Sequence, residues 1–267
     1  MTEPTRMPTL FLPHGGGPCF FMDWNPPHIW DSMAAFLRGL TATLPVEPRA
    51  ILIVSGHWET PVFTVNSGAQ PPLLFDYYGF PAHTYQLTYP APGDPAIAER
   101  VRELLAAAGL DTASDAERGY DHGVFVPFKV AFPEARIPIV QLSLLASLDP
   151  AEHLAAGRAL APLRDEGVLI VGSGMSYHNL RGFGPNFTGP SEQFDAWLTG
   201  AVGLADAEER CEALTRWEEA PHAHTAHPKE GHLIPLMVAA GAAEGDAGRS
   251  IFRDHVMDVA ISAYRFG

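Results

Sequence analysis

The feature that most constrains the fold is a set of short apolar runs that alternate along the chain with helical stretches. The runs are rich in β-branched residues, and their short length favours buried strands over helices. Strands that alternate with helices predict a layered α/β fold around a central sheet. The predicted strands are Thr9–Leu12, Ala50–Val54, Ile137–Leu144 and Val168–Val171, with a weaker fifth candidate at Val62–Val65.

Two of the intervening helices have the same start signal, an aspartate followed by a proline. Asp94 and Asp149 are suited to cap a helix, and the proline after each fits the first helical turn. We expect the first helix to run to Leu105 with Gly109 as its stop, and the second to end near Gly167. The further expected elements are a third helix from a Ser191 cap through Trp197, a buried fourth helix over Leu233–Ala243 that starts near Gly231 or His232, and a late strand within Phe252–Phe266.

The chain of 267 residues shows no linker, repeat or low-complexity tract. Its length suits one large domain, and ligands in such folds bind beyond the carboxyl ends of the strands. The sequence therefore predicts a single α/β domain over residues 1–267, with a central mixed β-sheet flanked by helices and an active site at the carboxyl ends of the strands.

The composition disfavours several classes of partner. Seventeen lysines and arginines against 31 aspartates and glutamates give a net charge of −14, which argues against nucleic acid and against an anionic membrane surface. No apolar run approaches the ~18 residues of a membrane span, and the N-terminus lacks a signal-peptide pattern. Two cysteines, Cys19 and Cys211, cannot build a disulfide framework, so a cytoplasmic location is expected. A homodimer is compatible with the sequence but is not required by it.

Histidine is the residue type that points to a functional site, because twelve histidines stand beside only 17 lysines and arginines. His14, His57 and His178 each follow a predicted strand, and each has neighbouring glycines that let the backbone approach a ligand closely. The carboxyl ends of the strands would bring these three imidazoles to one edge of the sheet. Since imidazole is the commonest metal ligand and the usual acid or base at neutral pH, one functional cleft is expected there.

Two further histidines fit the same cleft. His232 lies at the expected start of the fourth helix, and His122 follows Asp121 in a short loop that leads into an apolar run. Asp121 is not placed to orient its own neighbour. His227 is equally compatible with supporting the site and with fixing a loop. Of the remaining histidines, His222 and His224 are expected in a solvated loop and His153 exposed on the second helix, whereas His28, His83 and His255 lack any supporting context.

Other chemistries fit the sequence less well. It contains no Gly-x-Ser-x-Gly elbow, no Cys-x-x-Cys pair and no glycine-rich nucleotide loop, since Pro18 after Gly15-Gly16-Gly17 removes an amide that would cradle phosphate. Cys19 lies close to His14 in sequence but is expected to be a small buried hydrophobe. A metal site of imidazoles is left as the best interpretation, and it suits zinc as well as Fe(II).

Five motifs in this order resemble the class III extradiol ring-cleaving dioxygenases, the superfamily similar to the protocatechuate 4,5-dioxygenase β-subunit. The resemblance is greatest to the single-chain branch of the DOPA-dioxygenase type, and it covers essentially the whole chain. The motifs are His14-Gly15-Gly16-Gly17-Pro18, Ser55-Gly56-His57-Trp58-Glu59, Asp121-His122-Gly123, Gly172-Ser173-Gly174 through His178-Asn179-Leu180-Arg181, and His227-Pro228 to His232.

The resemblance implies a role for each of five histidines. His14, His57 and His232 would be metal ligands. His178 would be the catalytic acid and base, and in the DOPA-type branch it is also treated as a metal ligand. His122 would be a second catalytic histidine that contacts the substrate or dioxygen.

The implied reaction inserts O₂ into a catechol-type aromatic ring next to its vicinal diol, so the partners would be a small aromatic diol and O₂. One divalent metal per chain is implied, with Fe(II) expected and zinc compatible. If zinc is native, a hydrolase-like enzyme is the alternative, and a non-catalytic metal-binding relative is a further one. Many relatives have Ser and then Pro after the first His-Gly, where this chain has Gly16-Gly17-Pro18, so its substrate is expected to differ. Because ligating imidazoles must be neutral, metal retention is expected to fall as the pH drops through about 6.

Overall fold

The computed structural model describes residues 5–267, in which eight strands form one sheet. The strands are β1 Thr9–Pro13, β2 Ala50–Thr60, β3 Phe63–Asn66, β4 Thr112–Asp115, β5 Ile139–Leu145, β6 Val168–Gly174, β7 Gly248–Val256 and β8 Val259–Phe266. Their order is β4-β3-β5-β2-β6-β1-β8-β7. The central strands β5, β2, β6 and β1 are parallel, whereas β3 pairs antiparallel with β5, and β8 pairs antiparallel with β1 and β7.

Eight α-helices accompany the described sheet and contribute buried residues to the core. They are α1 Asp31–Gly39, α2 Pro95–Ala107, α3 His122–Ala131, α4 Pro150–Leu160, α5 Thr188–Val202, α6 Ala207–Thr215, α7 Ala223–Ala226 and α8 Pro235–Ala243. Every residue of α8 is buried, as its apolar sequence predicts. The predicted α/β class, with a central mixed sheet flanked by helices, is confirmed.

The two aspartate caps are confirmed in detail. Asp94 Oδ1 accepts the backbone N–H groups of Ala96 and Ile97 at 3.0 and 3.1 Å, and Asp149 caps α4 in the same way. The predicted Ser191 cap is wrong, because α5 begins at Thr188. The Ser191 hydroxyl instead accepts the backbone N–H of Ala260 on β8, a tertiary contact that the local sequence does not show.

The expectation that His153 is exposed is also wrong. Its side chain is fully buried on the face of α4 that packs toward the sheet. Its Nδ1–H donates to the carbonyl of Asp149 at 2.7 Å, and its Nε2 accepts the backbone N–H of Leu145 at 3.0 Å. The imidazole therefore joins the start of the helix to the end of β5.

The late strand expected within Phe252–Phe266 is the greater part of a hairpin of two strands, β7 and β8. The turn between them contains Met257 and Asp258, both with positive φ. The sequence did not predict the edge strand β4, because this strand has only four residues and none of them is a large apolar residue. Within the described residues, no helix combines the length and the apolar character that crossing a bilayer requires.

Candidate metal centre

Three neighbouring strands, β1, β6 and β2, bring the first two histidines to one edge of the sheet. Ser173 of β6 is paired with Leu12 of β1 on one side and with Ser55 of β2 on the other. His14 follows β1, as predicted. His57 lies within β2 rather than after it, because β2 continues beyond a register shift in its pairing with β5. Both imidazoles therefore lie at the carboxyl edge of the parallel strands.

Three imidazole nitrogens converge at this edge. Nε2 of His57 lies 3.1 Å from Nε2 of His14 and 3.1 Å from Nε2 of His232. The donor atoms of the three residues all lie within 4.8 Å of one another. A metal held about 2.1 Å from each nitrogen would separate neighbouring nitrogens by roughly 3.0 Å at 90° and about 3.4 Å at the tetrahedral angle. The observed spacing therefore fits a single divalent ion.

A hydrogen-bond chain orients the first of these imidazoles, that of His14. The Ser173 hydroxyl donates to the carbonyl of Gly123, so its oxygen is free to accept from Nδ1–H of His14, 3.1 Å away. With its proton on Nδ1, His14 turns the Nε2 lone pair toward His57. The serine of the glycine-serine-glycine motif, Ser173, thus favours the Nδ1–H tautomer of His14.

The backbone brings His232 close to the sheet at a position where only glycine fits. His232 ends a 3-10 turn, Glu230–His232, and its carbonyl accepts the backbone N–H of Met175 at 3.0 Å. A Cβ built at Gly174 would lie 3.1 Å from the carbonyl carbon of His232 and far inside the contact distance of its oxygen. Gly174 therefore permits the approach that brings the third imidazole to the cluster.

The three histidines are electrically suited to bind a cation. Burial, together with repulsion from neighbouring imidazoles, lowers the pKa of His14 and of His232 well below the usual value. The same causes lower the pKa of His57 to about 3, although Asp76 opposes part of the effect. All three rings are neutral at pH 7, which is the form that coordinates a metal. The structure therefore moves the expected acid limit of metal retention below the pH of about 6 predicted from the sequence.

His178 lies against the cluster in a different arrangement. Its ring is stacked on that of His232, with centroids 3.5 Å apart and planes 4° from parallel. It is not part of the group of converging donor atoms. No hydrogen bond to its ring nitrogens is formed by the described residues, and burial followed by the charge of His122 lowers its pKa to about 4. The geometry favours a free acid or base over a fourth ligand.

His227, whose role the sequence left open, fixes the loop that carries His178. It is completely buried, and its Nε2–H donates to the carbonyl of Ser176 at 3.0 Å. Next to it, the carbonyl of Ala226 accepts the backbone N–H of His178 at 2.9 Å. The side-chain amide of Asn179 donates to the carbonyl of Thr225 at 2.8 Å. The segment around α7 thus holds His178 through three hydrogen bonds.

His122 is the first residue of α3 and lies beside His57, with ring centroids 3.9 Å apart. Its partner is Asp76, a residue that sequence reasoning did not find. Asp76 Oδ1 accepts Nδ1–H of His122 at 2.8 Å, and Oδ2 lies 3.6 Å from Nδ1 of His57. Burial opposes ionisation of Asp76, but the hydrogen bond and charge of His122 outweigh it and lower the pKa of the carboxyl group. As expected, Asp121 points elsewhere, to Ser55 at 2.7 Å.

Aromatic side chains lie beside His122 and around the two histidine-bearing loops. Tyr77, which the sequence did not single out, meets His122 edge to face at a centroid distance of 5.8 Å. Phe125 packs on Tyr77, whereas Trp58, from the motif around His57, lies under Arg118. Tyr177 donates its hydroxyl to Gly182, and Phe20 packs on Trp30. As expected, Cys19 is buried and His222 and His224 are exposed.

The loop that departs from the DOPA-type pattern is in contact with the loop that carries Asp76. Gly17 has a φ of +54°, and a Cβ there would lie 2.7 Å from the ring of Phe80. His83 also contacts the first loop, because its Nε2 lies 3.0 Å from the carbonyl of Phe21. These two loops are therefore packed on each other.

Comparison with known proteins identifies the family. Residues 9–264 match the family described as the catalytic LigB subunit of aromatic ring-opening dioxygenase. The chain is 39% identical to dioxygenase tasH of Hapsidospora irregularis, over 98% of this chain and 87% of that protein. It is 41% identical to 4,5-DOPA dioxygenase extradiol of Beta vulgaris, over 82% of this chain and 81% of that protein. The protein of the same name in Escherichia coli K12 is 36% identical, over 90% of this chain and 87% of its own length.

The fold is shared with a solved structure as well. The crystal structure of an uncharacterized protein from Escherichia coli K12 superposes with a TM-score of 0.78 at 30% identity, covering 98% of this chain and all of that one. The family resemblance, the fold class and the enzymatic function expected from the sequence are thus confirmed. The chain belongs to the LigB family of aromatic ring-opening dioxygenases and is a metal-dependent extradiol dioxygenase.

Proposed function

We propose that His14, His57 and His232 hold one ferrous ion, and that His178 and His122 serve the opening of an aromatic ring beside two adjacent hydroxyl groups. The observation that carries the proposal is that Nε2 of His57 lies 3.1 Å from Nε2 of both His14 and His232, while the ring of His178 is stacked on that of His232. Ligands and proton-transfer group are thus separate side chains.

The donor set supports iron bound through only three protein ligands. A bound Fe(II) would keep coordination positions open for both diol oxygens and for O₂, and would pass electrons from the ring to O₂. Three neutral imidazoles accept zinc equally well, so the choice of iron rests on the reaction and not on the geometry. The names of the relatives favour ring opening over both the zinc hydrolase and the non-catalytic alternative.

His178 is proposed as the acid and base. A catechol must lose a proton to bind through both oxygens, and a neutral imidazole can take it. The ring of His178 is half-buried, and its nitrogens have no hydrogen-bond partner among the described residues, so they are available to a substrate hydroxyl. The same nitrogen can return the proton when the ring opens.

His122 is proposed to stabilise negative charge that develops on oxygen during the reaction. Its Nδ1–H is engaged by Asp76, which leaves Nε2 as the atom that faces a ligand. When His122 is protonated, the carboxylate of Asp76 compensates its charge and Nε2–H can donate to an anionic oxygen. Tyr77, against the same ring, would form part of the wall for the aromatic substrate.

The experiment that tests this function is oxygen uptake by protein loaded anaerobically with Fe(II) and offered a panel of catechols, with and without a side-chain carboxylate. We expect O₂ consumption and a yellow ring-fission product that depend on iron. Zinc-loaded protein is the control and is expected to take up no O₂. If iron-loaded protein consumes no O₂ with any catechol, the proposed function is wrong.

The role of His178 is tested separately by measuring turnover and bound metal in the same preparation of His178→Ala. We expect turnover to be abolished while the metal content stays at the wild-type value. Loss of the metal would show that His178 is a ligand, and wild-type turnover would refute both roles. The cytoplasmic location and the homodimer stay predictions, which cell fractionation and analytical ultracentrifugation would check.

A further inference from the structure

Asp76 is the one acidic side chain in the described structure that faces two imidazoles of the site. Its Oδ1 accepts both the Nδ1–H and the backbone N–H of His122, at 2.8 and 3.0 Å. Its Oδ2 faces Nδ1 of His57 at 3.6 Å. Since His57 turns its Nε2 toward His14 and His232, the carboxylate and the proposed metal position lie on opposite sides of one ring.

We propose that Asp76 is a positioning residue that fixes His57 and His122 as their Nδ1–H tautomers, so that both turn Nε2 toward the reacting groups. The proposal rests on the assignment of His57 as a metal ligand made above. An ionised carboxylate only accepts hydrogen bonds, so it stabilises an imidazole that presents N–H to it. A carboxylate behind a ligating histidine also fixes its orientation and raises its basicity.

The backbone holds the carboxylate in place. The N–H of His122 belongs to the first turn of α3, where amides have no partner within the helix. By accepting this N–H, Asp76 is fixed to the start of a helix that is itself buried against the sheet. The contact with Nδ1 of His57 is longer than a hydrogen bond, and a small rotation of that ring toward Oδ2 would close it.

A second metal ion is the competing explanation, because the donor atoms of His57, Asp76 and His122 also lie within 4.8 Å of one another. The hydrogen bonds argue against it. Oδ1 of Asp76 already accepts two N–H groups, and Nδ1 of His122 carries one of those protons. A metal ion bound there would have to displace the proton on Nδ1 of His122 and break the hydrogen bond that it makes to Asp76.

The test compares Asp76→Ala with Asp76→Asn in the affinity of the full-length apoprotein for Co(II), followed by visible absorption. We expect Asp76→Ala to bind Co(II) about 10–100-fold more weakly than the wild type. Asp76→Asn should bind at least as weakly, because its amide group can donate to Nδ1 of His57 and favour the tautomer that cannot coordinate through Nε2. A purely structural role gives the opposite order, since asparagine caps a helix as well as aspartate does.

Asp31→Asn is the matched control, because Asp31 also contacts a histidine, His28 at 2.6 Å, but lies exposed on the surface. Its Co(II) affinity is expected to equal that of the wild type. Asp76→Glu, which keeps the carboxylate, should recover part of the lost affinity. Histidine ¹⁵N spectra of the zinc-loaded wild type are expected to show Nδ1–H for both His57 and His122.

Wild-type Co(II) affinity in Asp76→Asn, an Nε2–H tautomer at either histidine, or two ions bound per chain would overturn the proposal. These readouts do not depend on turnover. If iron-loaded wild type opened no ring, the proposed function would fail while the order of Co(II) affinities still held. If the wild type opened rings and Asp76→Asn bound metal normally, only the role of Asp76 would fail.

Discussion

The substitution Gly174→Ala is expected to uncouple metal binding from folding. The new methyl group would lie 3.0 Å from a ring carbon of Phe11 and 3.1 Å from the carbonyl carbon of His232. Favourable contacts between carbon atoms begin near 3.5 Å, and the carbonyl oxygen lies much closer still, so the His232 turn must retreat by roughly 1 Å. Since metal–ligand distances vary by only about 0.2 Å from their usual values, Nε2 of His232 would then be too far away to bind the same ion as His14 and His57.

The size of the effect follows from that displacement. A misplacement of about 1 Å weakens function on the order of 100-fold, and we expect a loss of that size in the affinity for Zn²⁺. Overpacking of this kind costs about 1–3 kcal/mol of unfolding free energy, or roughly 2–12 °C in the melting temperature of a domain this large. The apoprotein is therefore expected to stay folded at 25 °C while its metal site is lost.

Isothermal titration of apoprotein with Zn²⁺, beside a thermal melt of the same sample, measures both quantities. Gly200→Ala is the control, because Gly200 lies exposed in α5 with no atom within 4 Å of a new methyl group. This variant should bind Zn²⁺ with wild-type affinity. Its free energy of unfolding should rise by about 0.5–1 kcal/mol, because alanine forms helices better than glycine does. Wild-type Zn²⁺ affinity in Gly174→Ala would refute the claim that this close approach positions His232.

Two further predictions concern the residues that support the site. Burial lowers the pKa of His227 to about 3, so between pH 6.5 and 3 the unfolded chain binds a proton that the folded chain refuses, and stability falls as the pH falls. At pH 5 this lowers the free energy of unfolding by about 2 kcal/mol. Urea unfolding should therefore show that His227→Gln loses about 2 kcal/mol less stability than the wild type between pH 7.5 and pH 5. An equal loss in both proteins would contradict a buried, neutral His227 ring. Ser173→Ala removes the acceptor of His14 Nδ1–H, so Zn²⁺ affinity measured by titration should fall about 10-fold or more, whereas an unaltered affinity would show that the serine does not set the tautomer.

Much of the fold could be predicted because its signals are local. The central strands are continuous apolar runs, and the caps at Asp94 and Asp149 depend on residues two and three positions away. Elements whose reasons are tertiary could not be predicted in this way. Ser191 serves β8 instead of its own helix, and the buried His153 joins α4 to β5.

The same distinction between local and tertiary signals applies to the residues of the site. His14 and His57 could be placed because they adjoin central strands. His232 was expected at the start of the fourth helix, but that helix begins at Pro235 and His232 ends the 3-10 turn before it. Asp76 could not, because it lies in a loop without regular structure and reaches His122 across 46 positions of sequence. Whether His178 coordinates or moves protons depends on a ring stacking that no residue pattern encodes.

The most direct test of the central claim is the anomalous difference density of a crystal loaded with Co(II) or Fe(II), recorded at the absorption edge of the metal. The account predicts one peak per chain, about 2.0–2.2 Å from Nε2 of each of His14, His57 and His232, with the ring of His178 still stacked and not coordinated. A peak held by Asp76 and His122, or one that takes a nitrogen of His178 as a ligand, would contradict it.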